Sequence, residues 1–150
     1  MHLLRLNNAA HELIEPDWLL RAEAIHRELR PQLAADYPAQ MRGIFADGGQ
    51  MVIAHNGEAI LGLAVFRHYR DTFSGTKFYV DDLVTTSQQR SQGVGKCLLD
   101  WLQQEAIRCG ATNFMLDSGT QRIDAHRFYH REGLTIASFN FKKPLQGKTA

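Results

Sequence analysis

A strand, a helix and a second strand follow one another between Val80 and Leu116, and this run leaves few folds open. The helix is predicted over Gly93 to Cys109, where apolar residues fall on one stripe and Gly110 supplies a stop. Two strands joined by a helix in this way are expected to lie parallel, with a right-handed crossover. The chain therefore predicts a sheet that contains at least one parallel pair.

The elements around this crossover predict a mixed sheet. A helix opens at Pro16, with Trp18, Ala22, Ile25 and Leu29 at helical spacing, and Asn56-Gly57 marks a hairpin turn. The fold class is α/β, with antiparallel hairpins before the crossover and helices on both faces of the sheet. The other expected elements are strands over Leu3–Leu6, Met51–His55, Ala59–Tyr69, Lys77–Thr85, Asn113–Leu116 and Leu134–Phe141, and helices over Pro38–Ala46 and Asp124–Glu132.

Composition narrows the class of protein. The 150 residues are 44% hydrophobic and 22% charged, which predicts one globular domain over residues 1–145 with a frayed tail at 146–150. The formal net charge of +1 argues against a nucleic-acid partner, and no apolar run is long enough for a membrane span. Cys97 and Cys109 lack CxxC spacing and are expected as thiols in a reducing compartment, so we expect a cytoplasmic protein.

The segment Arg90-Ser91-Gln92-Gly93-Val94-Gly95-Lys96 lies after a strand and opens the central helix. Glycines allow close approach of backbone to a ligand, and the first amides of a helix together with its dipole favour a pyrophosphate. An ordinary glycine-rich turn explains the same residues. The spacing is wrong for a P-loop, and Leu98 stands where a dinucleotide-binding fingerprint requires its third glycine.

Two adjacent carboxylates, Asp81 and Asp82, interrupt a strand-like run. Regular pleating puts one on each face of the sheet, unless a bulge changes their direction. A carboxylate held there can orient an ammonium group or accept a proton through water. A solvated side chain and a structural salt bridge explain the pair equally well.

The helix before Gly133 carries Tyr129 and two histidines, His126 and His130, at i, i+4 spacing. Tyr129 is either a half-buried packing residue or a hydroxyl with a chemical role. The histidines are expected as polar surface residues, because no third zinc ligand accompanies them. We expect no metal site.

Together these blocks resemble the GNAT superfamily of acyl-CoA-dependent N-acyltransferases. The similarity rests on the order and spacing of three motifs and spans essentially the whole chain. The motifs are Asp82-Leu83-Val84-Thr85, Arg90-x-x-Gly93-x-Gly95, and Ala125-His126-Arg127-Phe128-Tyr129 followed by Gly133.

The resemblance implies a sheet that splays where Lys77–Thr85 parts from Asn113–Leu116. It also implies acetyl-CoA as co-substrate. The pantetheine arm would lie in the splay along the backbone of Leu83, Val84 and Thr85. Arg122 replaces an Asn found in many members and could reach a phosphate instead. The pyrophosphate would bind the amides of Arg90, Ser91, Gln92, Gly93, Val94, Gly95 and Lys96.

The resemblance also implies catalytic roles. Tyr129 matches the position whose hydroxyl faces the thioester sulfur and can protonate the leaving thiolate, while Asp81 or Asp82 is the expected base for the amine. The acidic pair favours a small cationic amine as acceptor. Polyamines, aminoalkylphosphonates, amino acids, aminoglycosides and protein amines all stay open, as does a homodimer. The alternative function is a non-catalytic acyl-CoA-binding sensor.

Overall fold

The computed structural model of the protein describes residues 1–89 and 92–146. The chain divides into two compact units, Met1–Leu116 and Asp117–Ala150, and each is described by itself. The expectation of one domain over residues 1–145 stays a prediction. Residues 147–150 of the expected tail lie outside the described part of the chain.

The first unit is a five-stranded mixed sheet with helices on both faces. Its strands follow chain order across the sheet; the first four are antiparallel, and the fourth and fifth are parallel. This architecture confirms the predicted fold class. The elements are β1 (His2–Arg5), α1 (Pro16–Leu29), α2 (Tyr37–Ala46), β2 (Gln50–His55), β3 (Ile60–Asp71), β4 (Gly75–Thr85), a 3-10 turn (Ser87–Gln89), α3 (Val94–Arg108) and β5 (Asn113–Leu116).

Alternation along the strands separates two cores. On β3, Leu63 and Val65 face α1 and α2, whereas Ala64 and Phe66 face α3. Both faces are covered, which explains why nearly all of β2 is buried. The buried face of α1 consists of Leu19, Ala22, Ile25 and His26, rotated by about one residue from the stripe that the sequence predicts.

Gly62 allows α3 to lie close to the sheet beside β4. A Cβ built at this position would lie 2.8 Å from the carbonyl oxygen of Val84 and 3.0 Å from Cγ1 of Val94. Both neighbours are fixed, one as strand backbone and the other as a buried core residue. The glycine therefore sets the distance between the start of α3 and the end of β4.

The second unit contains α4 (Ile123–Arg131), which ends in a glycine-based cap. Gly133 has φ +90°, its N–H donates to His130, and the N–H of Leu134 donates to Tyr129. This pair of bonds satisfies the last carbonyls of the helix and requires a left-handed residue. The stop that the sequence predicts at Gly133 is therefore present.

Two local expectations are wrong. The β2–β3 hairpin has a loop over residues 56–59 in place of a two-residue turn, and the side chain of Asn56 accepts from the amide of Ala59. The expected strand over Leu134–Phe141 is absent: the segment has no regular secondary structure, and Ile136, Phe139 and Phe141 are exposed. Alternation of apolar residues favours a strand but does not make one without the hydrogen bonds of a ladder. Across the described ranges, no helix is long and apolar enough to cross a bilayer.

Substitution of Gly62 by Ala is expected to destabilise the protein by about 1–3 kcal/mol, because the added methyl group overlaps fixed atoms. Gly43→Ala in α2 is the matched control, since nothing lies within 4 Å of its Cβ position. That change should stabilise the protein by about 0.4–1 kcal/mol, by restricting the unfolded chain. Urea unfolding of both variants measures the difference, and equal stabilities would contradict the close approach at Gly62.

Candidate active site

A β-bulge in β4 creates the cluster of charges on which the site is built. Val65 pairs with Asp82, and the next residue of β3, Phe66, pairs with Val80, so Asp81 is an extra residue in β4. A bulge of this kind breaks the alternation of side chains. Regular pleating, which would put the two acids on opposite faces of the sheet, is therefore interrupted at this point.

The bulge brings both carboxylates to the face that carries α1 and α2. Asp82 lies opposite Val65 and bonds to side chains of α1. Asp81 bonds to Arg67, which shares the face of Val65 because the two positions are two apart on β3. The two acids therefore act on the same side of the sheet.

Asp82 is the centre of a hydrogen-bonded chain. Its Oδ2 lies 2.8 Å from Nε2 of His26 and its Oδ1 lies 2.7 Å from Nε of Arg30, while Nδ1 of His26 lies 2.9 Å from the hydroxyl of Tyr37. Every link is satisfied if the Tyr37 hydroxyl donates to Nδ1 and the Nε2–H of His26 donates to Asp82. Both oxygens of Asp82 are thus occupied.

This chain fixes the charge state of its members. Burial alone would raise the pKa of the Asp82 carboxyl, but the hydrogen bonds from His26 and Arg30 lower the pKa below its ordinary value. Burial raises the pKa of the Tyr37 hydroxyl, and the nearby carboxylates of Glu23 and Asp82 add to the effect. Asp82 is therefore a permanent anion at neutral pH, and Tyr37 is neutral.

The Asp81 carboxylate has fewer hydrogen-bond partners than that of Asp82. Its Oδ2 accepts from Nε of Arg67 at 2.8 Å and forms an ion pair with Nη2 of the same guanidinium, 2.7 Å away, and its backbone carbonyl accepts from Nη2 of Arg30 at 3.1 Å. Its Oδ1 has no hydrogen-bond partner within residues 1–89 and 92–146. The side chain is 28% exposed, compared with 12% for Asp82. Asp81 is thus the carboxylate that can still accept a hydrogen bond from a ligand.

The last turn of α1 is fastened to the end of β4. Besides the bonds from His26 and Arg30, the carboxylate of Glu28 accepts from the amide of Ser87 at 3.1 Å. None of these α1 residues stands out in the sequence, because their partners lie more than 50 residues away. His26 carries the one available signal: it falls four residues after Ala22, on the buried side of α1, where a polar side chain needs a partner.

Beyond the bulge, β4 has an open edge. β5 pairs with Lys77 to Val80 and ends at Leu116, so Asp81 to Thr85 have β3 on one side and no described strand on the other. This is the splay that the resemblance predicts. The Thr86 amide donates to Leu61 of β3, so by alternation Val84 also directs its backbone groups to β3, whereas Leu83 and Thr85 direct theirs to the open edge.

The start of α3 lies near the end of β4, because Val94 and the carbonyl of Val84 both lie beside Gly62. Gly93 is its N-cap, with φ +78° and no side-chain cap, and a Cβ at Gly93 would meet nothing within 4 Å. The first amides of a helix lack partners within the helix. Val94 is buried in the core, Gln92 and Gly93 are exposed, and Gly95 is half-buried in the first turn. Arg90 and Ser91 lie outside the described residues, and Lys96 directs its Nζ to Asp100, 3.0 Å from both oxygens.

Tyr129 and Arg122 belong to the second unit. Arg122 is the exposed N-cap residue of α4, and Tyr129 lies in that helix. Burial raises the pKa of the Tyr129 hydroxyl, and the Arg122 charge only partly opposes it. The two histidines contact backbone carbonyls, His126 that of Gly119 and His130 that of Leu134. In the described part of the chain, no three metal-binding side chains lie together.

Asp82→Asn is expected to lower the free energy of unfolding by about 1–3 kcal/mol at pH 7, because His26 and Arg30 lose a charged partner. A lowered pKa in the folded state means that this stability is present above the ordinary carboxyl value near 3.9 and is lost as the pH falls below it. The gap between wild type and variant should therefore shrink below about pH 4. Urea unfolding of wild type and variant across this pH range measures the gap.

Asp81→Asn is the control, because its ion pair with Arg67 is more exposed. This change should lower the free energy of unfolding by only about 0–1 kcal/mol. An equal loss for both variants would contradict the structural role of Asp82.

Comparisons with known proteins identify the family of the chain. Residues 8–134 match the family model described as the acetyltransferase (GNAT) family. An N-acetyltransferase of Bacillus subtilis named YhdJ, itself uncharacterised, is 47% identical over 72 residues, covering 47% of this chain and 51% of that protein. The aminoalkylphosphonate N-acetyltransferase of Salmonella typhimurium is 29% identical over 150 residues, covering 97% of this chain and 94% of that protein.

Solved structures support the fold. The aminoglycoside N-acetyltransferase AAC(6')-Iy, in complex with CoA, superposes with a TM-score of 0.81 at 16% identity, covering 97% of this chain and 94% of that one. At this identity the likeness concerns the fold alone. The family model covers most of the chain, and the expectation of an N-acetyltransferase is confirmed at the level of the family: the chain belongs to the acetyltransferase (GNAT) family.

Proposed function

We propose that the protein transfers the acetyl group of acetyl-CoA to the primary amine of a small acceptor, by direct attack in a ternary complex. We further propose that the acceptor binds as its ammonium cation. The observation that carries this proposal is the free oxygen of Asp81, placed by the bulge next to the open edge of β4. The named relatives, which act on aminoalkylphosphonates and aminoglycosides, support a small amine as acceptor.

Two features of the first unit suit acetyl-CoA. The backbone groups of Leu83 and Thr85 at the open edge can pair with the amides of a pantetheine arm, as an added strand would. The uncapped start of α3, from Gly93 onward, suits a pyrophosphate, because helix amides and the helix dipole favour anions. Arg90, Ser91 and Arg122 stay predicted contacts of the phosphates.

We assign different roles to the two acids. Asp82 has no free oxygen and holds α1 against β4, so it serves as a positioning residue. Asp81 has a free oxygen and partial exposure, so it binds the ammonium group and accepts its proton, directly or through water. The amine must lose that proton before its nitrogen can attack.

The chemical step then balances with one further group. The amine nitrogen bonds to the acetyl carbonyl carbon and gives up its second proton to water as the amide forms. The carbon–sulfur bond breaks, and the sulfur leaves as a thiolate that needs a proton. We propose that Tyr129 supplies this proton and regains one from water. Its raised pKa supports this role, since the hydroxyl keeps its proton throughout the neutral range. We also propose a cytoplasmic location and a homodimer.

The cofactor proposal is tested at Gly95, in the first turn of α3. Acetyl-CoA at 100 times its Kd should stabilise the wild-type protein by about 2.7 kcal/mol and raise its melting temperature, since it binds only the folded state. Gly95→Glu should abolish the shift by adding bulk and negative charge, while Gly95→Ala should keep most of it. A full shift in the Glu variant would contradict the site.

The acid proposal is tested by Tyr129→Phe. Loss of this hydroxyl should lower kcat by about 100-fold to 10,000-fold and leave the acetyl-CoA melting shift unchanged. Because the pKa of Tyr129 is raised, wild-type activity should not fall on the alkaline side until above about pH 10. Steady-state kinetics from pH 6 to 11 measure the kcat of the variant and the pH profile of the wild type. A variant with full kcat would show that Tyr129 only packs against its neighbours.

The function as a whole is tested by thiol release in the presence of small primary amines. An enzyme frees CoA only when an amine is present, whereas a sensor binds acetyl-CoA without turnover.

The ammonium site is tested by Asp81→Asn. This variant should raise KM for the amine by about tenfold or more, which corresponds to the loss of one charged hydrogen bond, and should keep the acetyl-CoA melting shift. Asp17→Asn, on the exposed first turn of α1, is the matched control and should behave as wild type.

A further inference from the structure

Each acid of the Asp81–Asp82 pair has a cationic partner, and this bears on the kind of amine that the site accepts. The Asp81 carboxylate is paired with Arg67, and the Asp82 carboxylate is paired with Arg30. Two carboxylates of α1 also have partners: Glu23 is paired with Arg27, and Glu28 accepts from the amide of Ser87. A site that selects an acceptor with several positive charges would need carboxylates without cationic partners, and neither acid of this pair meets that condition.

Both arginines keep donors for a ligand. A guanidinium carries five N–H groups, and Arg30 uses Nε–H for Asp82 and one Nη2–H for the carbonyl of Asp81. Its side chain is 43% exposed. Arg67 uses Nε–H for Asp81, with Nη2 in ion-pair contact with the same oxygen, and its Nη1 donates to the carbonyl of Asp47 at 3.5 Å. Each guanidinium thus keeps N–H groups without partners among the described residues.

The free donors and the free acceptor lie together. Arg67 contacts the carboxylate of Asp81, and Arg30 contacts its backbone carbonyl, so two partly exposed guanidinium groups bind the residue that carries the free Oδ1. A guanidinium binds carboxylate and phosphonate oxygens through paired N–H groups. One free carboxylate oxygen beside two such donors is complementary to an ammonium group and an oxyanion carried by the same small molecule.

We propose that the acceptor is a short zwitterionic amine whose ammonium group binds Asp81 and whose carboxylate or phosphonate binds Arg30 and Arg67. This inference rests on the proposed acetyl transfer and defines its substrate class. It excludes polyamines as preferred acceptors, because a second ammonium group would face the two arginines.

The test compares four amines with the same two-carbon spacing: 2-aminoethylphosphonate, β-alanine, ethanolamine and ethylenediamine. We expect kcat/KM, measured by CoA release, to be at least about tenfold higher for an oxyanion-bearing amine than for ethylenediamine, the difference of one charged hydrogen bond. The phosphonate and carboxylate arms show which oxyanion the site prefers. A wild-type preference for ethylenediamine or ethanolamine would overturn the proposal while acetyl transfer stands. No CoA release with any amine would instead count against the proposed function.

Substitutions of the two arginines test whether they cause the preference for amines that carry an oxyanion. Arg67→Gln and Arg30→Gln should each lower kcat/KM for the oxyanion-bearing amines by about tenfold or more. Arg67→Gln should also leave ethylenediamine unchanged or improve it, because Asp81 loses its cationic partner. Arg21→Gln is the control, since that guanidinium lies over the ring of Trp18 at the other end of α1. Melting temperatures establish that each variant is folded, and an equal loss for all four amines in both folded variants would contradict the specificity role.

Discussion

The extra residue at Asp81 is the feature on which the organisation of the site depends. Without the bulge, regular pleating would send Asp81 and Asp82 to opposite faces, one of them into the apolar layer beneath α3. With the bulge, both carboxylates meet the last turn of α1. One acid then holds the helix in place, and the other keeps an oxygen for a ligand. A local irregularity in one strand thus separates a fully bonded carboxylate from one with a free oxygen, to which we assign the proposed chemical role.

The same strand connects the charge cluster with the proposed cofactor path. β4 leaves β5 at Val80, one residue before the bulge, so the open edge and the acids begin together. Gly62 then lets α3 pack against the end of this edge, which brings an uncapped helix start close to it. Strand edge, helix start and carboxylates therefore belong to one region of the first unit, where we propose that the acyl donor and the amine meet.

Much of the fold could be predicted because its signals are local. β5 has the predicted bounds, and glycine ends α3 and α4 where the sequence places a stop. The partners of the acids could not be predicted, because Arg30 and His26 become their neighbours only after the chain has folded over more than 50 residues. The expected strand over Leu134–Phe141 is wrong for a related reason. The alternation of apolar residues is a local pattern, but a strand also needs the hydrogen bonds of a second strand.

The most direct test of the account is a crystal structure of the protein with CoA and a small zwitterionic amine. We expect the amine nitrogen within hydrogen-bond distance of Oδ1 of Asp81, the oxyanion on Arg30 and Arg67, and the pantetheine amides paired with Leu83 and Thr85. Asp82 should keep its bonds to His26 and Arg30. An amine bound away from Asp81, or with its positive end against Arg67, would show that Asp81 is not the ammonium site.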